Sequence, residues 1–391
     1  MRTRIGSLLA VAVVLALTIA GCGSDDDGGE ETTAAAPAAT AAAPASSAAE
    51  TAPAAASSAA EGTAVETGAD ASTSAPAASE PAASAPAETT AASGWSFTDG
   101  SGKTVELDEV PTRIIAHAHA AAALLEFGIK PIAVYADAPI KDDVGLQNVD
   151  FSGIEVIGEE WGIIDVEKAA ALKPDLIVGD WWPVEKAYSG MEDGVEEKSK
   201  KIGELAPVVG SAQGGSIVTL IEGYEQLAAS LGADVASGKG AQAKADFEAA
   251  RDAFSAAAKA KPGLTALAIS PYDDKYAIAV PEYAPELLDF RAWGLDVVVP
   301  EKPDPDFPYW QSLSFENADQ YQPDLLLFDD RNYPGNYETL EKQPIGKSIK
   351  AFAAGSHTTW PAYWLHTYTD YAQQLTKLTE AIEKADPNLG T

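Results

Sequence analysis

Aromatic and titratable side chains gather where apolar runs of strand length give way to loops. His117 and His119 follow Ile114-Ile115-Ala116, and Trp181 and Trp182 follow Leu176-Ile177-Val178. In the second half, Tyr272, Asp329, Asp330, Arg331 and Tyr333 hold the same kind of position, with Tyr309, Trp310, Trp360 and Trp364 in nearby loops. Open α/β sheets bind ligands outside the carboxyl ends of their strands, so these residues are the candidates for a binding cleft. A wall of Trp and Tyr suits a large, rigid ligand with apolar flanks and few charges. A single tryptophan is as often a core residue. The neighbours Trp181 and Trp182 are better candidates, because adjacent residues beyond a strand cannot both face one core.

Other chemistries are less well supplied. His117 and His119 are half of a zinc site, which needs further imidazole or carboxylate ligands; the remaining histidines, His357 and His366, are both in the final segment. Haem ligation by one of these histidines or by a tyrosine stays open as an alternative. No Gly-x-Ser-x-Gly, Walker loop, Rossmann glycine pattern or Cys-His pair occurs. A cell-surface enzyme built from scattered Ser-Lys or paired carboxylate residues is the rival from another class.

The elements that must position these residues show a repeat. Asp165-Val166-Glu167 leads through Pro174-Asp175-Leu176 to an apolar run, and Ser314-Phe315-Glu316 leads through Pro323-Asp324-Leu325 to another. Each copy reads as a capped short helix stopped by proline and feeding a buried parallel strand. Leu124-Leu125-Glu126-Phe127-Gly128 and Leu287-Leu288-Asp289-Phe290 precede the two copies as a second echo. Two similar α/β lobes in tandem are therefore expected, with a period far too long for a solenoid. Chance recurrence of short apolar patterns is the alternative.

Taken from its start, the chain opens with Arg2, Arg4 and an apolar run from Ile5 to Ala20. That run is too short to span a bilayer and has the flanks of a signal peptide. Ile19-Ala20-Gly21-Cys22 resembles a bacterial lipobox, which implies cleavage before Cys22 and lipid on its sulfur. Cys22 is the one cysteine of the chain, so no intramolecular disulfide is available and lipid attachment is the use that remains; an ordinary signal peptide with an incidental cysteine is the alternative. Residues 23–94 lack aromatic, lysine and arginine residues and have almost nothing to bury, so they read as a disordered, acidic tether.

Setting aside the eleven acids and two arginines of residues 1–94 from totals of 59 and 26 leaves 48 acidic and 24 basic residues. Nucleic acid is not expected as a partner, since phosphate binding needs a basic surface. Residues 216–260 are helical by pattern, with Leu220, Tyr224, Leu227 and Leu231 on one stripe and Phe247, Ala250 and Phe254 on another. Gly232 and Pro262-Gly263 end the two helices. A final helix is expected from roughly Tyr363 to Lys384, on the stripe Tyr371, Leu375, Leu378 and Ile382.

A family resemblance rests on the order of these pieces: the Asp99-Gly100 hairpin, Pro111-Thr112-Arg113-Ile114-Ile115, the Leu124-Leu125 to Pro131-Ile132 turn, and Glu167-x6-Pro174-Asp175-Leu176-Ile177. Over about residues 96–385 the chain resembles the substrate-binding lipoproteins of ABC importers for ferric siderophores, haem and cobalamin. The resemblance implies an α/β, class III periplasmic-binding-protein-like fold: two similar lobes, each a parallel sheet flanked by helices, joined by a long rigid helix. The expected divisions are residues 1–22 as signal peptide with lipidated Cys22, 23–94 as linker, 95–235 as N-terminal lobe, 236–262 as interlobe helix and 263–391 as C-terminal lobe. It implies no enzymatic activity and no resident cofactor, iron arriving inside a siderophore. It implies a monomer on the outer face of the cell membrane that delivers its ligand to an ABC permease, with Glu167 and Glu316 docking on the permease arginines. The expected ligand residues are His117, His119, Trp181, Trp182, Tyr272, Tyr309, Trp310, Arg331, Tyr333 and Trp364. With Asp180, Asp329 and Asp330 near one cleft arginine, the site matches a triply anionic catecholate poorly, so a neutral or cationic hydroxamate-type chelate is expected; cobalamin or haem on the same fold is the alternative.

Overall fold

The computed structural model describes residues 94–391. The signal peptide, Cys22 and all but the last residue of the expected tether lie outside the described residues. The first lobe begins with a hairpin, β1 (Trp95–Thr98) and β2 (Thr104–Leu107). Its turn is organised by Asp99, whose Oδ1 accepts from the Ser101 and Lys103 amides at 2.9 and 3.2 Å. There follow β3 (Ile114–His117), α1 (Ala118–Glu126), β4 (Ala133–Ala136), β5 (Glu155–Glu159), α2 (Val166–Ala171) and β6 (Leu176–Val178). A short hairpin of β7 (Trp181–Trp182) and β8 (Ala187–Tyr188), then α3 (Glu197–Lys200) and β9 (Val208–Val209), complete this part. The sheet runs β5-β4-β3-β6-β9, every pair parallel. All residues of β3, β4 and β6 are buried, which suits a sheet covered on both faces.

Two helices follow: α4 (Ile217–Ser230), capped by Ser216 Oγ on the Val218 amide, and α5 (Gly238–Ala260). Gly232, at φ 95°, ends α4 where a side chain would be strained. The second lobe holds β10 (Thr265–Tyr272), β11 (Lys275–Ala279), α6 (Pro285–Ala292), β12 (Asp296–Val297), β13 (Trp310–Ser314) and β14 (Leu325–Asp329). Then come α7 (Gly335–Lys342), α8 (Lys350–Ala353), β15 (His357–Trp360) and α9 (Tyr368–Lys384).

The second sheet differs from a wholly parallel one. Strands β10, β12, β14 and β15 pair in parallel, but β11 and β13 are antiparallel additions in the order β13-β11-β10-β14-β15. The cause is local: Tyr272 pairs with Lys275 across Asp273-Asp274, with Asp273 at φ 45°, so the chain reverses in a tight turn instead of crossing over.

The two motif copies also diverge. Asp165 Oδ1 accepts from the Lys168 amide at 2.9 Å and starts the α-helix α2. After Ser314 the chain makes a 3-10 helix over Phe315–Gln320 with no side-chain cap. There the Ser314 hydroxyl is taken by Asn317 Nδ2 at 3.0 Å. The last helix starts at Tyr368, not near Tyr363, because Thr367 caps it, accepting from the Asp370 amide and donating to the Asp370 carboxylate.

The lobes share one continuous apolar core through α4, α5 and α9. Near its start α5 meets α1, where a Cβ on Gly240 would lie 2.5 Å from the Phe127 ring; farther along, Phe254 stands against Phe290 and Ser255 Oγ donates to the Trp293 carbonyl. Helix α9 packs along α5 through Phe247, Tyr368 and Tyr371. The Glu126 carboxylate at the end of α1 accepts from the first amides of α9, Tyr368 and Thr369, at 2.9 and 3.0 Å, the anion-at-N-terminus arrangement a helix favours.

Candidate functional site

A pocket of about 200 Å³ lies between the lobes. The first lobe contributes Trp182, Pro183 and Val184 from the β7–β8 hairpin and Gln213 and Gly214 from the loop after β9. The second contributes Glu282, Tyr283, Pro285, Tyr309 and Tyr363. Its volume is below the roughly 300–1,000 Å³ of most ligand pockets, and from its wall Tyr309 Oη donates to Glu185 Oε1 at 2.8 Å across the lobes.

The hairpin that carries Trp182 is set by the strand before it. Beyond β6, the Trp181 amide donates to the Ser211 carbonyl and the Gln213 amide to the Trp181 carbonyl, both at 2.8 Å. Alternation then turns the two indoles to opposite sides. Trp182 faces the pocket with its Nε1 on Ser189 Oγ at 3.1 Å, and Trp181 packs edge-on against Tyr188 at 5.0 Å. On the facing lobe Tyr309 stands between Phe307 and Tyr283, at 5.0 and 5.5 Å between ring centroids.

Tyr363 is a pocket residue held in an uncommon backbone state, φ 65°. Such a conformation in a bulky residue persists only where its surroundings fix it. Here the Tyr363 amide donates to Glu286 Oε1 at 2.7 Å, and the Arg331 guanidinium lies 5.2 Å over the ring. Glu286 is wholly buried with its Oε2 unpartnered, and burial pushes its carboxyl up to about 8. Arg331 is itself forked on Asp329, at 3.0 and 2.7 Å.

Three histidines, His117, His119 and His366, cluster behind the pocket wall, where Gln213 meets Asp180. Asp180, 2% exposed, accepts from His366 Nε2 at 2.7 Å, from Gln213 Nε2 at 3.0 Å and from the Tyr224 hydroxyl. Burial alone would raise this carboxyl, but His366 and the Tyr224 hydroxyl hold it far below the usual carboxylate range. His119 stacks on His366 at 5.0 Å and lies 3.1 Å from Asp143. His117 is buried with Nε2 3.2 Å from Asp137; burial works against its charge, yet Asp137 lifts it to about 9. The structure thus gathers His117 and His119 into a carboxylate-paired cluster instead of the pocket lining.

Of the other residues singled out in the sequence, Trp182 and Tyr309 line the pocket, and Trp310 backs it, half-buried against Trp360 and Tyr363. Arg331 reaches it through Tyr363. Tyr272 is exposed at the β10–β11 turn under Lys275, and Tyr333 is exposed beside Phe328 and Tyr337; neither is in the pocket lining. Trp364 is buried, with Nε1 donating to Asp330 Oδ1 at 2.8 Å and its ring against Gly145, so it is a packing residue. Gln213, Tyr283, Glu282 and Tyr363 were not singled out. They follow β9, β11 and β15 by three or four residues, strands not expected from the sequence, and the positive φ of Tyr363 has no signature in a sequence. Glu167 and Glu316 are both exposed at the starts of their helices. Among the described residues, no three His, Cys, Asp or Glu side chains are arranged to hold a metal ion, and no helix is long and apolar enough to cross a membrane.

Comparison with known proteins places this architecture. Residues 124–363 match the model of the family described as periplasmic binding protein. A ferric-siderophore receptor protein of Streptomyces coelicolor, DesE, is similar at 32% identity and a TM-score of 0.66, covering 75% of this chain and 99% of that one. The siderophore periplasmic binding protein from the fuscachelin gene cluster of Thermobifida fusca aligns at 19% identity, 70% and 96% coverage and a TM-score of 0.53. FhuD2 of Staphylococcus aureus with bound ferrioxamine B aligns at 19%, 70% and 99%, with 0.50. Those two likenesses are of fold. No curated protein matches the sequence. The two α/β lobes, the helices that tie them and the family match over most of the described chain make this protein a member of the periplasmic binding protein family, an extracytoplasmic family of class III binding proteins and not of enzymes.

Proposed function

We propose that the protein is an extracytoplasmic lipoprotein that captures a ferric siderophore of hydroxamate type and delivers it to an ABC importer permease. The observation that carries this reading is the aromatic pocket between the lobes, in which Trp182 faces Tyr283, Tyr309 and Tyr363. Aromatic walls grip an organic shell by apolar burial, and a siderophore brings its own oxygen donors to iron. The three clustered imidazoles are already matched to Asp137, Asp143 and Asp180, which favours an iron that arrives chelated over one held by the protein. The similar protein of Streptomyces coelicolor bears the name of a ferric-siderophore receptor, and that supports the ligand class. Arg331 is spent on Asp329, so little free positive charge faces the pocket, which argues against a triply anionic catecholate.

In this reading Cys22 carries the lipid anchor, residues 23–94 are the tether, Glu167 and Glu316 are the two permease contacts, and the protein acts as a monomer without a resident cofactor. The small closed pocket would open by parting Tyr309 from Glu185, with α5 and α9 limiting the motion. Tryptophan fluorescence titration with ferrioxamine B, a ferric catecholate, haem and cobalamin tests the ligand. Saturable quenching by the hydroxamate chelate at the lowest concentration is expected; tighter quenching by any of the other three would replace the reading.

A further inference from the structure

The echo between Leu124-Leu125-Glu126-Phe127 and Leu287-Leu288-Asp289-Phe290 plays no part in the pocket lining, yet its two acids are placed alike. Glu126 ends α1 in the first lobe, and Asp289 lies in the last turn of α6 in the second. Helices α4 and α9 correspond in the same way: each follows the edge strand of its own sheet, β9 and β15. The loops that lead into them carry pocket residues, Gln213 and Gly214 ahead of α4 and Tyr363 ahead of α9.

The first amides of a helix have no partner inside it, and here two residues share them. The helix's own cap takes one: Ser216 Oγ accepts from the Val218 amide and Thr367 Oγ1 from the Asp370 amide, both at 3.1 Å. The amides left over go to the opposite lobe. Asp289 Oδ2 accepts from Ile217 at 3.0 Å, and the Glu126 carboxylate accepts from Tyr368 and Thr369 at 2.9 and 3.0 Å. Asp289 Oδ2 also accepts from Tyr371 Oη of α9 at 2.8 Å, and Tyr368 Oη donates to Glu225 of α4 at 2.9 Å, so the two helices are tied together at the same place. An anion at a helix N-terminus is favoured wherever it occurs. That accounts for either contact alone; it does not require the equivalent acids of both copies to reach across, each to the other lobe's helix.

We infer that Glu126 and Asp289 are a reciprocal pair of positioning residues: each holds the start of the other lobe's last helix, and together they fix the two wall segments, Gln213-Gly214 and Tyr363, at the spacing the bound chelate meets. This rests on the chelate-binding reading and deepens it. A wall held in place before the ligand arrives costs less to order on binding, so the pair contributes to affinity without touching the ligand.

Amide hydrogen exchange and fluorescence titration with ferrioxamine B, on the full chain in wild type and in the isosteric variants E126Q and D289N, test the pair. A melting curve verifies folding; should D289N not fold, E126Q, at a partly exposed position, decides alone. The expected signature is crosswise. E126Q, in the first lobe, quickens exchange over residues 363–369 of the second, and D289N, in the second lobe, quickens it over residues 213–218. The increase is about tenfold, the scale of one hydrogen bond to a charged group, while the amides of both sheets keep their wild-type rates. Each variant weakens ferrioxamine B about fivefold, the cost of ordering a wall side chain on binding. Unchanged exchange at both helix starts, or exchange that quickens evenly through both sheets, would reduce the acids to ordinary core groups and overturn the inference. Crosswise exchange with ferrioxamine B affinity at its wild-type value would overturn the positioning role and leave the ligand reading standing. If wild type binds a catecholate, haem or cobalamin in place of ferrioxamine B, the hydroxamate reading falls by itself, and the same variants titrated with that ligand decide the inference.

Discussion

At the residue scale, several groups bind protons more tightly in the folded protein than in the unfolded chain, Glu286, Glu192, Asp330 and His117 among them. Burial raises Glu286 from its ordinary 4.5 to about 8, and Glu192 and Asp330 to about 7. His117 rises from 6.5 to about 9, with Asp137 overcoming the effect of burial. For a group raised on folding, the stabilising contribution is complete below the unfolded pKa and is lost as pH climbs through the folded one. Asp180, Asp137 and Asp143 are shifted down, and their contribution is lost only as pH falls below the ordinary carboxylate range. Melting temperature should therefore decline from pH 5 to pH 9. Replacing Glu286 by glutamine, which cannot ionise, should flatten that decline, by an amount on the order of a few kcal/mol over the window. A variant whose pH profile parallels the wild type would show that the Glu286 proton is not retained.

At the element scale, the two copies of the Glu-x6-Pro-Asp motif look alike on paper and fold differently. Both place an oxygen-bearing residue before a helix and proline after it, which is why a helix was legible at each. What decided α-helix against 3-10 helix was whether that oxygen was free to cap. Asp165 bonds the Lys168 amide, whereas the Ser314 hydroxyl is engaged by Asn317. Asp165→Ala should then cost about 1 kcal/mol in urea denaturation, the usual worth of a cap, and Ser314→Ala about half of that or less. Equal losses would mean that the cap bond is not what distinguishes them. In the second sheet, the antiparallel return through Lys275–Ala279 depended on a turn at Asp273-Asp274 that carries no glycine.

At the scale of the whole molecule, the two exposed glutamates stand on separate lobes, each at the start of the helix within its motif. A glutamate in a first helical turn is favoured by the macrodipole alone, so either could be a local device. The docking role predicts something the macrodipole does not. Charge reversal of both, E167K with E316K, should leave chelate affinity within about twofold, the spread of remote surface changes, while uptake into cells carrying the importer falls to background. Uptake at the wild-type rate would end the docking assignment. Reversal of one alone should reduce uptake only in part if both lobes are gripped.

The sequence by itself determined the α/β class with two lobes, the helix-to-strand order of the first motif copy and the glycine that ends α4, because apolar periodicity, caps, prolines and glycines act over a few positions. It also singled out Trp182 and Tyr309, which line the pocket, since alternation beyond a strand and position in a loop are local properties. Only the tertiary structure decided which aromatic residues meet. Trp364 turned inward because Asp330 and Gly145 receive it, and His117 and His119 were drawn to Asp137 and Asp143. Tyr363, Tyr283 and Gln213 came into the pocket from segments distant in the chain. Membership of a site depends on contacts between residues a hundred or more positions apart, such as His366 with Asp180, and on which side of a packed core each segment emerges; neither is written in local pattern.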